Sequence, residues 1–274
     1  MKHSICSLVA LIVLMTGSTA FAGESLDVTL DFIEREYFRQ LTAEERSDMQ
    51  LIVGGAGGDN EKIEQVCALL DPHTTYSRLG PHTSHPGGEP PYEAAAGAAL
   101  YIKIRSFSFG VDDSVTALLN EYPALPLLLD LSECGGGVLA VMENIARCLV
   151  PSGPIYTGEY RERTEIRASE LASGRPAVFV CVTGETASCA EILAAALQDA
   201  GAATLVGGRT YGKGSIQRMC ALPNGGLLTL TVGRWTTRGG VDVEGRGLEP
   251  DIPMDESEIA TLVAALLWII KGGF

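Results

Sequence analysis

The sequence has no C-x-x-C pair, no H-E-x-x-H run and only four histidines. The usual spacings of a zinc site are therefore missing, and the expectation is an activity that uses neither a metal nor an organic cofactor. His3 falls in an apolar leader, and His82 and His85 fall in a Pro/Gly-rich stretch. His73 is thus the one imidazole with a place in a Ser-His-Asp arrangement. Basic residues are also scarce, 20 Lys and Arg against 34 Asp and Glu, for a net charge of −14 at pH 7. A chain of this charge repels nucleic acid and anionic lipid, so neither is an expected partner. Beyond the leader no apolar run is long enough to span a bilayer. Leu262 to Ile270 is too short, follows the helix-starting Asp255-Glu-Ser-Glu258, and reads as a buried C-terminal helix.

Residues 1–22 combine a basic start (Lys2, His3), an apolar run from Ile5 to Met15 and Ala20-Phe-Ala22 ahead of Gly23. That pattern predicts a cleavable signal peptide and a periplasmic or secreted protein. Cys6 lies inside the apolar run and not at a lipid-attachment position. The other cysteines are Cys67, Cys134, Cys148, Cys181, Cys189 and Cys220. An even number permits disulfides after export, but several sit in apolar runs where cysteine acts as a small hydrophobe, which predicts mostly free, buried thiols.

Two polar residues 25 positions apart stand out from this background. Ser188 follows the apolar run Ala177 to Val182, a predicted buried strand, and opens the helical stretch to Ala200. A hydroxyl at a strand-to-helix junction lies beside unpaired helix N–H groups that can hold an oxyanion. The same residues, Ser188-Cys-Ala-Glu191, also form an S-x-x-E capping box, so an ordinary N-cap is the competing reading. Gly212-Lys213-Gly214 opens a predicted strand in which Lys213, Ser215 and Gln217 share one face by the period of two. Glycines on both sides allow close approach to the Lys213 amine; a solvated turn lysine is the alternative. Gly207 to Lys213 also matches the first seven positions of a P-loop. Gly214 replaces the Ser or Thr that would hold Mg²⁺, and a strand-like segment follows in place of a helix, which excludes nucleotide binding by that route.

These residues resemble the C-terminal processing (tail-specific) serine peptidases. The family's nucleophile motif reads about S-A-S-A-S-E-I-L with a following A-L-Q-D, its base motif G-K-G-x-V-Q and its tail G-I-x-P-D. This chain has Thr186-Ala-Ser188-Cys-Ala-Glu-Ile-Leu193, Ala196-Leu-Gln-Asp199, Gly212-Lys213-Gly-Ser-Ile-Gln217 and Gly247-Leu-Glu-Pro-Asp251. The resemblance implies Ser188 as nucleophile, Lys213 as general base and Gln217 as the residue that orients the lysine. Leu127-Leu-Leu-Asp130-Leu-Ser-Glu-Cys-Gly-Gly136-Gly137 is similar to the family's D-L-R-x-N-x-G-G. Backbone N–H groups of Gly136 and Cys189 would then form the oxyanion hole. Ser132 and Cys134 replace the family's Arg and Asn, which alters the support of that loop and is the main argument for a non-catalytic peptide- or ligand-binding relative of the same fold.

The resemblance begins at Leu70-Asp-Pro-His-Thr-Thr-Tyr76, where the family continues into a PDZ module. Only Ser77 to Gly97 separates that motif from the predicted strand at Tyr101, too short for a PDZ domain. The expected layout is a signal peptide (1–22), an N-terminal helical lobe (23–76), a linker in place of the PDZ domain (77–98) and a peptidase core (99–274). Apolar residues at helical spacing predict helices over Ser25 to Leu41 and Glu61 to Leu70. Strands Tyr101 to Phe107, Pro126 to Leu131, Ala177 to Val182 and Thr204 to Gly207 alternate with helices, which predicts an α/β fold, a mixed sheet core with flanking helices; the resemblance implies the ClpP/crotonase-like type. The implied activity is hydrolysis of peptide bonds in exported or unfolded proteins, with cleavage near C-termini as the family's habit. Partners would be a protein or peptide substrate, with an adaptor protein as a further candidate.

Overall fold

The structure, a computed structural model, describes residues 22–78, 90–172, 174–222 and 224–272. Most of the predicted leader and the segment 79–89 lie outside the described residues. The chain divides into two compact units, Met1–His82 with Gln217–Gly233 and Thr83–Ile216 with Arg234–Phe274.

In the first unit, α1 (Ala22–Glu36), α2 (Ala43–Gly54) and α3 (Asp59–Leu70) precede strand β1 (Thr75–Arg78). α1 buries Leu26 and Ile33, and Tyr37 just past its end continues the stripe; α3 buries Ile63, Val66, Cys67 and Leu70 at helical spacing. The Tyr37 hydroxyl donates to the Leu70 carbonyl at 3.1 Å, and burial raises its pKa above the ordinary phenol range. The sequence reading named α1 and α3 but not α2. Its start is nevertheless written in Thr42-Ala-Glu-Glu45, where Glu45 N–H donates to Thr42 Oγ1 and Thr42 N–H to Glu45 Oε2. Arg39 binds both oxygens of Glu45 and holds that carboxyl at about 2. After α3 the Asp-Pro-His-Thr turn closes on Asp71, which accepts from the backbone N–H of His73 and Thr74 and from the hydroxyls of Thr74 and Thr231.

The second unit runs β2 (Tyr92–Ala96), β3 (Leu100–Ile104), α4 (Val111–Glu121), β4 (Leu127–Asp130), α5 (Leu139–Leu149), β5 (Gly153–Tyr160), β6 (Arg163–Ser169), β7 (Val178–Val182), α6 (Cys189–Asp199) and β8 (Thr204–Gly207). Strands β9 (Ser215–Ala221) and β10 (Gly226–Thr237) form a hairpin in which the chain passes from one unit to the other and back. β11 (Ile252–Pro253) and α7 (Glu256–Ile270) end the chain. A six-stranded sheet in the order β11-β8-β7-β4-β3-β2 forms the centre, parallel throughout except for β2. The α/β expectation is met. β2 lies within the segment read as a linker, and the β5–β6 hairpin was not anticipated.

Register assigns the sheet's two faces. Ile102, Leu129, Val180 and Leu205 pair across four strands and are fully buried on one face. Tyr101, Leu128, Cys181 and Val206 lie on the other face and cluster with Ile259 of α7. The reading of α7 as a buried helix is corrected here: Ile259 is its one buried residue, and Trp268 is 59% exposed. α7 is apolar nearly all round, yet a helix laid on one face of a sheet can cover only a single stripe.

Leu129→Ala removes a fully buried side chain from the middle of this sheet and is expected to cost about 2–5 kcal/mol. Leu262→Ala on the outer side of α7, 36% exposed, is expected to cost under about 1 kcal/mol. Denaturant unfolding of both variants measures the contrast.

Candidate active site

Three helices begin with capping-box residues, and one of them is unlike the other two. Thr42 and Asp255 have the extended backbone of ordinary N-caps, with side chains that accept the N–H three residues on. Ser188 instead has φ 56 and ψ −120, and it is the one non-glycine residue with positive φ among the described residues. A β-carbon in that conformation costs of order 1–3 kcal/mol, held by its surroundings. The strand-to-helix turn thus has the sharp, strained form that presents a nucleophile in other hydrolases.

The surroundings centre on Glu191, fully buried one turn into α6. Its Oε2 accepts from the N–H groups of Ser188 at 2.9 Å and Lys213 at 2.8 Å. Its Oε1 accepts from Gly212 N–H at 2.7 Å and the Thr210 hydroxyl at 2.6 Å. The segment bearing the serine and the segment bearing the lysine therefore meet on one carboxylate. Gly212, at φ +89, must be glycine on two counts, because a β-carbon there would also come within 2.7 Å of Gly247 N. Lys213 precedes β9 and is not part of the strand, contrary to the strand-face reading; its carbonyl accepts from Trp235 Nε1 at 3.0 Å.

The glycine loop after β4 closes over the same point. A β-carbon on Gly136 would lie 3.0 Å from Ser188 Cβ and 3.3 Å from Cys189 N. The Cys189 N–H, in the first turn of α6, donates no hydrogen bond within the described residues. The loop is pinned by Phe107 N–H to Gly136 O at 2.9 Å, Ala187 N–H to Cys134 O at 3.0 Å and the Thr186 hydroxyl to Leu131 O at 2.8 Å. Thr183 Oγ1 also donates to Ser132 O, and the Ser132 hydroxyl donates to Asp130 Oδ1 at 2.6 Å. Serine and threonine hydroxyls thus support a loop whose motif departs from the family pattern at Ser132 and Cys134.

Cys189 probes the neighbourhood of both residues. Burial raises its thiol, while hydrogen bonding from the Ser188 side chain and the Gly137 backbone and the charge of Lys213 lower it, leaving it at about 11. Its Sγ donates to Gly137 O at 3.3 Å. Burial pushes Cys134 to about 12. The six cysteines among the described residues are free; Cys67, Cys134, Cys181 and Cys189 are buried, and Cys148 and Cys220 are half-buried.

Of the remaining candidates, Gln217 belongs to the first unit, where its amide donates to Thr231 Oγ1 at 3.4 Å and Thr231 in turn donates to Asp71. His73 lies in the turn on Asp71 in that same unit. The two tail motifs also meet: Gln198 donates to Asp251 Oδ1 at 2.9 Å, and Asp251 Oδ2 accepts Leu205 N–H at 2.8 Å. The sequence reading passed over Glu191 except as half of a cap.

Comparison with known proteins accords with this geometry. The fold is similar to a solved photosystem II D1 C-terminal processing protease, at TM-score 0.65 and 18% identity over 88% of this chain and 94% of that one. It is also similar to a lipoprotein from Streptococcus agalactiae, at TM-score 0.70 and 17% identity over 93% of this chain and 99% of that one. In sequence, the chain is 27% identical over 261 residues to the chloroplastic C-terminal processing peptidase of Tetradesmus obliquus, covering 91% of this chain and 53% of the relative. It is 36% identical over 166 residues to a carboxyl-terminal-processing protease of Synechocystis, covering 58% of this chain and 39% of the relative. The chain thus spans about half or less of the length of these curated relatives. The model of peptidase family S41 matches residues 98–254, and the chain belongs to that family.

Glu191→Ala would leave four donors without an acceptor, three of them backbone N–H groups. At about 1–3 kcal/mol for each buried unsatisfied group, a loss of at least about 3 kcal/mol is expected in denaturant unfolding. The thiols give a second check. Iodoacetamide at pH 8 is expected to modify Cys148 and Cys220 well before Cys134 or Cys189, as read by peptide mass mapping.

Proposed function

We propose that the protein is an exported serine endopeptidase in which Ser188 is the nucleophile and Lys213 the general base. The observation that carries this reading is the single buried carboxylate of Glu191, which binds the backbone of both residues, with the strained Ser188 beside it. In the proposed mechanism the neutral Lys213 amine takes the Ser188 hydroxyl proton as Oγ attacks the substrate carbonyl carbon. The oxyanion forms beside the N–H of Cys189 and the close-packed Gly136, where a preformed donor is worth the most. The lysine then gives its proton to the leaving amine, and water hydrolyses the acyl-enzyme by the reverse route. Gln217 takes the orienting role that the family motif gives it, and this chemistry calls on no metal or organic cofactor.

Substrates in this reading are exported or unfolded protein chains, and cleavage near their C-termini is the activity for which the similar proteins are named. Export rests on the leader-like residues 1–22. No described helix is long and apolar enough to cross a membrane. The short segment 77–98 stands in place of a PDZ module, so tail recognition falls to the crevice, to that segment or to an adaptor.

Ser188→Ala and Lys213→Met are each expected to lower kcat on an unfolded protein substrate by at least about 10⁴, with circular dichroism unchanged, and Gln217→Ala by less. Near-normal turnover by Lys213→Met would remove the lysine from the mechanism. His73→Ala would then identify an imidazole base.

A further inference from the structure

The second unit holds a cavity of about 630 Å³ between α7 and the carboxyl ends of β3, β4 and β7. Its size is that of a ligand pocket, and the carboxyl ends of parallel strands are where such sheets bind ligands. One wall is aliphatic, made by Ile259, Ala260, Val263, Ala264 and Leu267 of α7. The opposite wall and rim carry five carboxylates, Glu93, Asp130, Glu133, Glu185 and Glu256, against the single amine of Lys103.

That amine is already engaged. Lys103 Nζ lies 2.6 Å from Glu133 and 3.9 Å from Asp130, and Asp130 also accepts from Tyr101 and Ser132. Arg105 pairs with Glu93 and Glu133 from outside the lining. The side chains of Glu185 and Glu256 make no hydrogen bond or ion pair within the described residues. The surplus charge excludes phosphates, nucleotides and free carboxylates as occupants. A bare divalent ion is no better match, since no grouping of metal-ligating side chains occurs among the described residues. The fitting occupant is an organic cation with an aliphatic flank. Beside the cavity, β2 contributes Glu93 and is the terminal strand of the six-stranded sheet, and a strand in that position can pair with an extended chain.

We propose that this cavity is a docking site for an extended segment of the substrate protein that presents a lysine or arginine next to aliphatic side chains. The substrate assignment rests on the peptidase reading above. Ser132 and Thr183, which line the cavity, begin the loops that lead to Gly136 and Ser188. A docked segment would therefore hold the rest of its chain at high local concentration beside the nucleophile.

Binding is measured by fluorescence anisotropy on full-length Ser188→Ala protein, so that the probe is not consumed. The probe is a twelve-residue peptide blocked at both ends with one arginine flanked by leucines. It is expected to bind at least tenfold more tightly than versions with glutamine or glutamate in place of arginine. Glu185→Gln combined with Glu256→Gln is expected to erase that preference, and Ala264→Trp, which fills the cavity from exposed helix, to abolish binding. Equal binding of the arginine and glutamate peptides, or no effect of either variant, would overturn the site. Octylamine binding without peptide binding would equally overturn it, in favour of a small-molecule amine. Proteolysis retained by Ser188→Ala would count against the nucleophile assignment and leave the docking result standing.

Discussion

The second unit depends most on one buried carboxylate. Glu191 accepts four hydrogen bonds on two oxygens, so no lone pair facing the protein is left to water. Its helix carries Ser188 and its acceptor oxygens carry the 210–213 segment, which ties two stretches of chain into one rigid body. The strained backbone of Ser188 and the positive-φ turn at Gly212 are the local costs of that arrangement. Cys189 and Gly136 then fall where helix and glycine loop converge. A buried anion of this kind stabilises the fold only while every donor stays in place, so it acts more as a device for position than as a source of stability.

The central sheet separates stability from binding. One face is a continuous row of fully buried aliphatics across β3, β4, β7 and β8. The other is only partly covered, by a single helix that leaves a cavity at the strand ends. Lys103 and Asp130 pair across neighbouring strands on that looser face, where these buried charges are retained because Glu133, Tyr101 and Ser132 supply them with partners. The loops at the same strand ends carry the glycine run and the serine.

Several features were legible in the sequence for clear physical reasons. β8 has the bounds read from Thr204-Leu-Val-Gly207, and β4 and β7 differ by a residue or two, because buried parallel strands are short unbroken apolar runs. α1 and α3 showed as stripes at helical spacing. α2 did not, because Met49 is its single buried residue and its identity rests on the Thr42 cap. The β5–β6 hairpin turns on Arg161-Glu162 without a glycine or asparagine, and its strands alternate poorly, so neither turn nor period announced it. α7 was read as buried because apolar composition signals burial, whereas its position leaves half of it to solvent.

The sequence by itself determined the identities that chemistry needs: a serine at a helix start, a lysine between glycines, a glycine run after a strand and an acidic surplus. Residue types and local spacing suffice for those, because caps, turns and strand runs are decided within a few neighbours. Only the tertiary structure decided that the glutamate of an apparent helix cap binds the lysine segment as well as the serine. It alone decided that Ser188 departs from cap geometry and that surplus carboxylates gather at a cavity under α7. Those outcomes depend on contacts between residues 19 or more positions apart, and the period of one element carries no information about where another will cross it.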